Sequence, residues 1–233
     1  DGKLGKPEKI LIEEFLDGEE MSYFIISDGK CYKKFQTAQD HKRVFEGDKG
    51  KNTGGMGAYS PSKLIDDNLD DKIIKKIIEP TLKGLKELGV SYEGFLYAGL
   101  MIKNGEPYLI EYNVRMGDPE CQTILPKLKN DLLDVLKSCI DKNLDSLNLD
   151  WSNDKSLCMV LCSKGYPDKF DNEIEISNLE NLKINSNNEF IFHAGTKIVD
   201  GKIYSNGGRV LNFIKTSENF KESRDDIIKK IND

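Results

Sequence analysis

The pattern that most constrains the fold is a pair of strand-like segments joined by an Asn–Gly turn. Residues 94–102 are nearly all apolar, as is typical of a strand that is buried on both faces. Asn104 and Gly105 follow, and this pair favours the tight turn of a β-hairpin. Residues 108–114 then alternate as a half-buried strand does. The alternation predicts two faces, one with Tyr108, Ile110, Tyr112 and Val114, the other with Leu109, Glu111, Asn113 and Arg115.

The return strand places two oxygen-bearing side chains on one face. Glu111 and Asn113 are two residues apart, so their Cα atoms lie roughly 6.5 Å apart in a strand. A carboxylate and an amide oxygen at this spacing could share a hard cation such as Mg²⁺, which often uses only one or two protein ligands. Arg115 on the same face could bind a phosphate or a carboxylate. The alternative is a surface strand with ordinary polar residues, but the Arg-x-Gly-Asp-Pro-Glu sequence at 115–120 is not how a plain strand ends.

Composition places the chain among soluble globular proteins. Its 233 residues suffice for one large domain or two modest ones, and 38% of them are hydrophobic and 32% charged. The net charge of −6 excludes a general attraction to nucleic acid or to an anionic membrane. No apolar run approaches the ~18 residues of a membrane-spanning helix, and no signal-peptide pattern is present. Five scattered cysteines and two histidines form no zinc-binding pattern, so we expect free thiols and a cytoplasmic location.

The two ends of the sequence indicate a part of something longer. The chain starts at Asp1 without a methionine, in a stretch that is typical of a loop. It stops at Asp233, inside or just after a predicted helix. We therefore expect further residues upstream.

The remaining patterns predict an α+β architecture in two domains, residues 1–142 and residues 150–233, with a polar linker over 141–155. Predicted strands cover 9–15, 21–27, 31–35, 157–163, 189–199, 202–204 and 208–215. Predicted helices cover 66–88 with a kink or a break into two at Pro80, 121–129, 131–140, and 217–231 with Ser217 as its N-cap.

Residues 36–62 show little apolar periodicity, and so long a stretch is usually functional or disordered. It holds Asp40, His41, Lys42 and Arg43, which suit a zwitterion or a sugar phosphate but also a solvated charged loop. Residues 52–59 have three glycines in four residues, and such a backbone can turn N–H groups toward an anion. The alternative is a flexible turn.

Five blocks in this order resemble one known family: residues 12–20, 39–43, 52–61, 94–100 and 111–120. The family is phosphoribosylamine–glycine ligase (glycinamide ribonucleotide synthetase), an ATP-grasp enzyme of purine biosynthesis. Residues 193–196 and 206–210 resemble that family's small C-terminal domain. The resemblance implies the C-terminal lobe of an ATP-grasp domain, an antiparallel sheet with helices, at 1–142. It implies a small β-rich domain at 150–233.

The resemblance also implies a reaction. ATP phosphorylates the carboxylate of glycine, and the amine of 5-phosphoribosylamine then attacks the glycyl phosphate. The products are glycinamide ribonucleotide, ADP and phosphate. The implied cofactors are ATP and Mg²⁺ or Mn²⁺, and the implied partners are the two small substrates, with no nucleic acid and no membrane.

Residue roles follow from the same resemblance, position by position. Glu111 and Asn113 would hold the metal, and Arg115 and Lys42 would act in catalysis. ATP would contact Glu13, Glu14, Phe15, Leu16 and Glu20. The substrates would contact Asp40, His41, Arg43, Asn52, Gly54, Gly55, Gly57, Asp118, Glu120, Gly208 and Arg209.

Two departures from the family pattern shape the prediction. Residues 95–102 carry no further acidic metal ligand, so two protein ligands must suffice. The family's upstream half, with its glycine-rich phosphate loop and lysine, has no counterpart in this sequence. We therefore expect the isolated chain to be inactive unless that missing part of the enzyme is supplied. The rival interpretations are an ATP-grasp ligase for another acid and amine, and a non-catalytic nucleotide-binding fragment that needs a partner chain.

Overall fold

The computed structural model describes residues 9–185 and 187–232. In this part of the chain the strands are β1 (Glu19–Asp28), β2 (Tyr32–Lys34), β3 (Gln39–Asp40), β4 (Arg43–Phe45), β5 (Lys49–Asn52), β6 (Gly57–Ser60), β7 (Glu93–Lys103), β8 (Glu106–Asn113), β9 (Lys155–Cys162), β10 (Glu175–Ile176), β11 (Glu189–His193), β12 (Thr196–Val199), β13 (Lys202–Ser205) and β14 (Arg209–Ser217). The α-helices are α1 (Asp67–Ile73), α2 (Glu79–Glu87), α3 (Glu120–Ile124), α4 (Leu132–Ile140) and α5 (Phe220–Asn232).

The first sheet is antiparallel and has the strand order β2-β1-β7-β8. β1 and β7 pair along their whole lengths, from Glu19 opposite Ile102 to Asp28 opposite Glu93. The β7–β8 hairpin turns at Asn104 and Gly105, whose φ angles are 53° and 71°. Positive φ at both turn residues is what an Asn–Gly hairpin requires, so the predicted hairpin is confirmed.

The two central strands of this sheet, β1 and β7, are buried on both faces. On one face Met21, Tyr23 and Ile25 of β1 pack against α1, α2 and the π-helical turn Ile74–Ile78 that joins them. On the other face Phe24 and Ile26 pack in a second core with residues of α3 and α4. The sheet is therefore the middle layer of three.

The long predicted helix is present, with a widened turn before its proline. Asp66 caps α1, because its side chain accepts the N–H of Leu69 at 2.7 Å. The π-helical turn lies directly before Pro80, which has no N–H to donate, and Thr81 Oγ1 donates to the Ile77 carbonyl at 2.7 Å. The predicted kink at Pro80 thus takes the form of a local change in helix type.

The second sheet, in the order β11-β14-β9-β6-β3, takes strands from both predicted domains. A smaller sheet has the order β10-β13-β12, and β4 and β5 form a two-stranded ribbon. The predicted linker is packed, since Leu144 is fully buried and the ring of Trp151 lies 5.2 Å from that of Phe35. The division into domains 1–142 and 150–233 stays a prediction.

The structure corrects several sequence predictions. Residues 9–17 form no strand, because no described segment pairs with them, and Ile10, Leu11, Ile12 and Phe15 are exposed. The segment 189–199 is two strands in different sheets, broken at Ala194 and Gly195. Residues 36–62 hold four short strands. Asn219, and not Ser217, caps α5, since its Oδ1 accepts the N–H of Glu222 at 2.9 Å.

No helix among the described residues is long and apolar enough to cross a membrane.

Phe24 tests the doubly buried sheet. Its side chain is 0% exposed and its ring centroid lies 4.6 Å from that of Tyr97. Phe24→Ala should lower the free energy of unfolding by roughly 3–5 kcal/mol, because it removes buried area and leaves a cavity. Urea unfolding of the chain measures this. Leu88→Ala, at a side chain that is 80% exposed, is the control and should change little; equal effects would contradict the described core.

Candidate active site

The polar end of the first sheet forms a small pocket. Ser22 lies opposite Gly99, and Gly99 lies opposite Glu111, so the three residues share one face. The pocket is lined by Glu20, Met21, Ser22, Asp40, Lys42, Tyr97, Gly99, Leu100, Ile110 and Glu111. It lies where the apolar cover of β1 and β7 ends.

A β-bulge sets the orientation of the metal-ligand candidates. The register of β7 and β8 shifts between Gly99 and Leu100, which leaves Ile110 as the extra residue. The predicted alternation is therefore wrong before the bulge: Tyr108 shares the face of Glu111, and Leu109 lies on the other face. After the bulge it holds, and Asn113 Nδ2 donates to Glu111 Oε1 at 3.1 Å.

These two side chains fit a magnesium ion that takes most of its ligands from water and substrate. No group of three or more His, Cys, Asp or Glu side chains in the described ranges could hold a metal. Glu111 is exposed and Asn113 half-buried, and a half-turn of the Asn113 amide places its oxygen beside the carboxylate. One carboxylate and one amide oxygen match the one or two protein ligands that Mg²⁺ commonly uses.

Lys42 brings a positive charge to the pocket. Its Nζ lies 2.7 Å from Glu20 Oε2. Burial opposes protonation of the amine, but the hydrogen bond to Glu20 and the charges of Asp40 and Glu111 outweigh it and raise the pKa of Lys42. Lys42 is therefore a permanent cation at neutral pH.

Asp40 is a half-buried acid with one unpartnered carboxylate oxygen. Its Oδ1 is buried without a hydrogen-bond partner. Burial and the neighbouring Glu120 carboxylate raise the pKa of Asp40 to about 8, although Lys42 and Arg209 act in the opposite direction. Gly55 (φ +112°) covers this oxygen, since a Cβ there would lie 2.7 Å from Oδ1.

Glu120, predicted as a substrate ligand, lies in a buried polar cluster. It is 3% exposed, and its Oε1 lies 3.0 Å from Ser22 Oγ, which is also 2.9 Å from Tyr97 Oη. Sequence reasoning missed Ser22 and Tyr97. A hydroxyl in the middle of an apolar strand was the available sign, because such a group needs a partner.

Arg209 joins Gly54 to Asp118, two residues that the resemblance assigns to the substrates. Its guanidinium donates to the Gly54 carbonyl at 2.7 Å and to the Asp118 carbonyl at 2.8 Å, and it forms an ion pair with Asp118 Oδ2 at 3.0 Å. These bonds occupy both terminal nitrogens of the guanidinium. In this conformation the Arg209 guanidinium is bound to other residues of the same chain.

The glycine-rich loop does not present its amides to an anion. Four consecutive N–H groups already donate within the protein: Thr53 to the Lys42 carbonyl at 2.7 Å, Gly54 to Tyr166 Oη at 2.9 Å, Gly55 to Thr53 Oγ1 at 3.0 Å, and Met56 to the His41 carbonyl at 2.8 Å. In this structure the N–H groups of residues 53–56 bind other residues of the protein, and the assignment of this loop to an anion stays a prediction.

Other predicted site residues lie apart from the pocket. Glu13, Glu14, Phe15 and Leu16 belong to the segment without regular structure, and the Arg115 guanidinium donates to the Met116 carbonyl at 2.9 Å. Arg43 lies opposite Asn52 in the β4–β5 ribbon, the ring of His41 lies 5.7 Å from that of Tyr59, Gly57 is in β6, and Gly208 lies under the ring of Tyr166. The assignment of these residues to ligands stays a prediction.

Comparison with known families decides the relationship. Residues 1–121, more than half of the chain, match the family described as phosphoribosylglycinamide synthetase, ATP-grasp (A) domain. The chain belongs to this family. Residues 156–233 match the phosphoribosylglycinamide synthetase C domain. The resemblance stated from the sequence is thereby confirmed.

Individual relatives agree with this assignment. The chain is 46% identical over 216 residues to a phosphoribosylamine–glycine ligase of Agrobacterium fabrum, covering 93% of this chain and 50% of the relative. It is 44% identical over 220 residues to the chloroplastic phosphoribosylamine–glycine ligase of Arabidopsis thaliana, covering 93% of this chain and 41% of the relative. The chain thus spans about half the length of the relatives it matches.

The fold agrees as well. The crystal structure of phosphoribosylamine–glycine ligase from Thermotoga maritima superposes with a TM-score of 0.84 at 34% identity, over 94% of this chain and 54% of that one. The predicted α+β class and the ATP-grasp architecture are confirmed by this likeness and by the antiparallel sheets.

The titration of Asp40 should make the free energy of unfolding of the chain depend on pH. With a folded-state pKa near 8 and an ordinary value near 4, the folded protein keeps a proton that the unfolded chain loses as pH rises. Stability from this group therefore falls between about pH 4 and pH 8. Asp40→Asn cannot ionise, so relative to the unsubstituted chain its free energy of unfolding should rise across that window by roughly 1–3 kcal/mol.

Urea unfolding at a series of pH values measures the effect, with Asp171→Asn at an exposed position as the matched control. A constant difference between the Asp40→Asn and unsubstituted chains from pH 4 to pH 9 would contradict the assignment.

Proposed function

We propose that this chain carries part of the active site of an ATP-dependent ligase that joins glycine to 5-phosphoribosylamine. Membership of the phosphoribosylglycinamide synthetase family and the names of the relatives support the reaction. The observation that carries it is Glu111, which lines the same pocket as the Lys42–Glu20 ion pair and accepts a hydrogen bond from Asn113.

The proposed reaction has two steps. The γ-phosphoryl group of ATP passes to a carboxylate oxygen of glycine, which gives glycyl phosphate and ADP. The amine of phosphoribosylamine then attacks the carbonyl carbon. A C–N bond forms, the C–O bond to phosphate breaks, and the amine nitrogen loses one proton. Such transfers need positioning and charge neutralisation from the protein.

The residues of the chain divide this work. Glu111 and Asn113 would hold Mg²⁺ or Mn²⁺, which neutralises phosphate charge. Lys42 adds a fixed positive charge, and its partner Glu20 is the candidate contact for the ribose of ATP. The loops at 39–43 and 52–57 would enclose the two substrates.

The activity is proposed for a protein that also contains the part of the relatives that this chain does not match, because this chain spans about half of their length. The isolated chain should be inactive. The predicted cytoplasmic location stays a prediction, as does the absence of nucleic-acid and membrane partners, and the Arabidopsis thaliana relative is named as chloroplastic.

The reaction can be tested in a chimera in which this chain replaces the matching half of the Agrobacterium fabrum ligase. The chimera should form glycinamide ribonucleotide and ADP from ATP, glycine and phosphoribosylamine. Turnover only with another acid or amine would favour a different ATP-grasp ligase. ATP binding without any turnover, beside an active unmodified relative, would favour a non-catalytic module.

Glu111→Gln in the chimera should lower kcat by about tenfold or more, because the metal contributes several kcal/mol to such transfers. Steady-state ADP release measures this. Glu106→Gln is the control on the same strand, since Glu106 forms ion pairs at 2.6 Å with Lys72 and Lys76 away from the pocket. An unchanged kcat in Glu111→Gln would exclude Glu111 as a metal ligand.

A further inference from the structure

Tyr166 is a residue from the second half of the chain that contacts the glycine-rich loop. It lies between β9 and β10, and its hydroxyl oxygen accepts the N–H of Gly54 at 2.9 Å. Its ring packs flat against Gly208, where a Cβ would lie 2.2 Å from the ring. The ring position is thus fixed by one glycine and the hydroxyl position by another.

Gly54 is held on both sides by residues far away in sequence. Tyr166 binds its N–H, and Arg209 binds its carbonyl at 2.7 Å. An exposed ion pair between Lys51 Nζ and Asp168 Oδ1, 2.5 Å apart, joins the same two segments. Three contacts from residues 166–209 therefore hold this loop, in addition to the bonds of Thr53 and Met56 to the Lys42 and His41 carbonyls.

Burial of apolar side chains contributes little to the shape of this loop. Glycine loses more backbone freedom on ordering than any other residue, and the exposed Asn52 and Gly54 bury no apolar side chain in a core. Its conformation consequently depends on hydrogen bonds. Among them, the Tyr166 bond can be removed without changing the loop's own sequence.

The position of this loop matters for the pocket. Gly55, the next residue, covers Asp40 Oδ1, and Asp40 lines the pocket beside Lys42. A loop that moves at Gly54 uncovers Asp40 and changes the wall against which a substrate would rest.

We propose that Tyr166 is a positioning residue: its hydroxyl fixes the Gly54–Gly55 backbone over Asp40, and so sets the affinity of the pocket for its small amine substrates. The part about affinity rests on the proposed function. The part about the loop does not, because it concerns the chain by itself.

The first test uses the chain as it is. Tyr166→Phe keeps the ring on Gly208 and removes only the hydroxyl. Amide exchange with water at Gly54, measured by NMR, should become about threefold to tenfold faster, as expected for the loss of one hydrogen bond. Tyr92→Phe is the matched control, because the Tyr92 hydroxyl donates to the carbonyl of Phe95 in the first sheet at 2.6 Å. Exchange at Gly54 should not change there.

Unchanged exchange at Gly54 in Tyr166→Phe would overturn the proposal, whatever the activity. An equal acceleration in both variants would also overturn it, since the effect would then be a general loss of stability.

The second test uses the chimera with the Agrobacterium fabrum ligase. Tyr166→Phe should raise KM for glycine or for phosphoribosylamine threefold to tenfold, while kcat changes less than twofold and KM for ATP stays constant. A fall in kcat with unchanged KM values would overturn the effect on affinity. Absence of turnover in the unsubstituted chimera would count against the proposed function, and amide exchange would still decide whether Tyr166 holds the loop.

Discussion

The pairing of β1 with β7 is the constraint on which the other parts of the structure depend. Both strands are apolar on both faces, so helices must cover the sheet on both sides. The cover ends where β1 begins, at Glu20 and Ser22. Polar side chains from β8 and from residues 39–43 lie at that edge, because there the sheet face that carries Ser22 and Glu111 meets water. The site's location follows from the burial pattern of one strand pair.

The charges around the pocket favour cations over free phosphate. Glu20, Asp40 and Glu111 line the pocket and Glu120 binds Ser22 beside it, while Lys42 and Arg209 already pair with acids of the protein. Burial is the main cause of the raised pKa of Asp40, and the neighbouring Glu120 carboxylate adds to it. Such a pocket suits a metal ion or an amine.

Features fixed by neighbouring residues could be predicted from the sequence, and features fixed at long range could not. The Asn104–Gly105 turn, the capped helix at Asp66 and the Glu111–Asn113 pair each depend on a few adjacent side chains. The predicted strand at 9–15 failed because a strand also needs a neighbour, which an apolar run does not reveal. The bulge at Ile110 was not predicted for a similar reason, since the register depends on both strands. The contacts of Tyr166 and Arg209 with Gly54 join residues more than a hundred positions apart.

The glycine-rich loop shows that close packing can require the glycines of a motif. Its glycines suggested a backbone that bends around an anion, yet the structure gives two of them another cause. Gly57 lies where a Cβ would be 2.6 Å from the Cys158 carbonyl, so close pairing of β6 with β9 requires glycine. Gly55 requires it because Asp40 and Pro119 fill the space beside it. Close packing against neighbouring residues of the chain thus accounts for these two glycines. The loop therefore packs against Asp40, a residue that lines the pocket, and is held there in part by the second half of the chain.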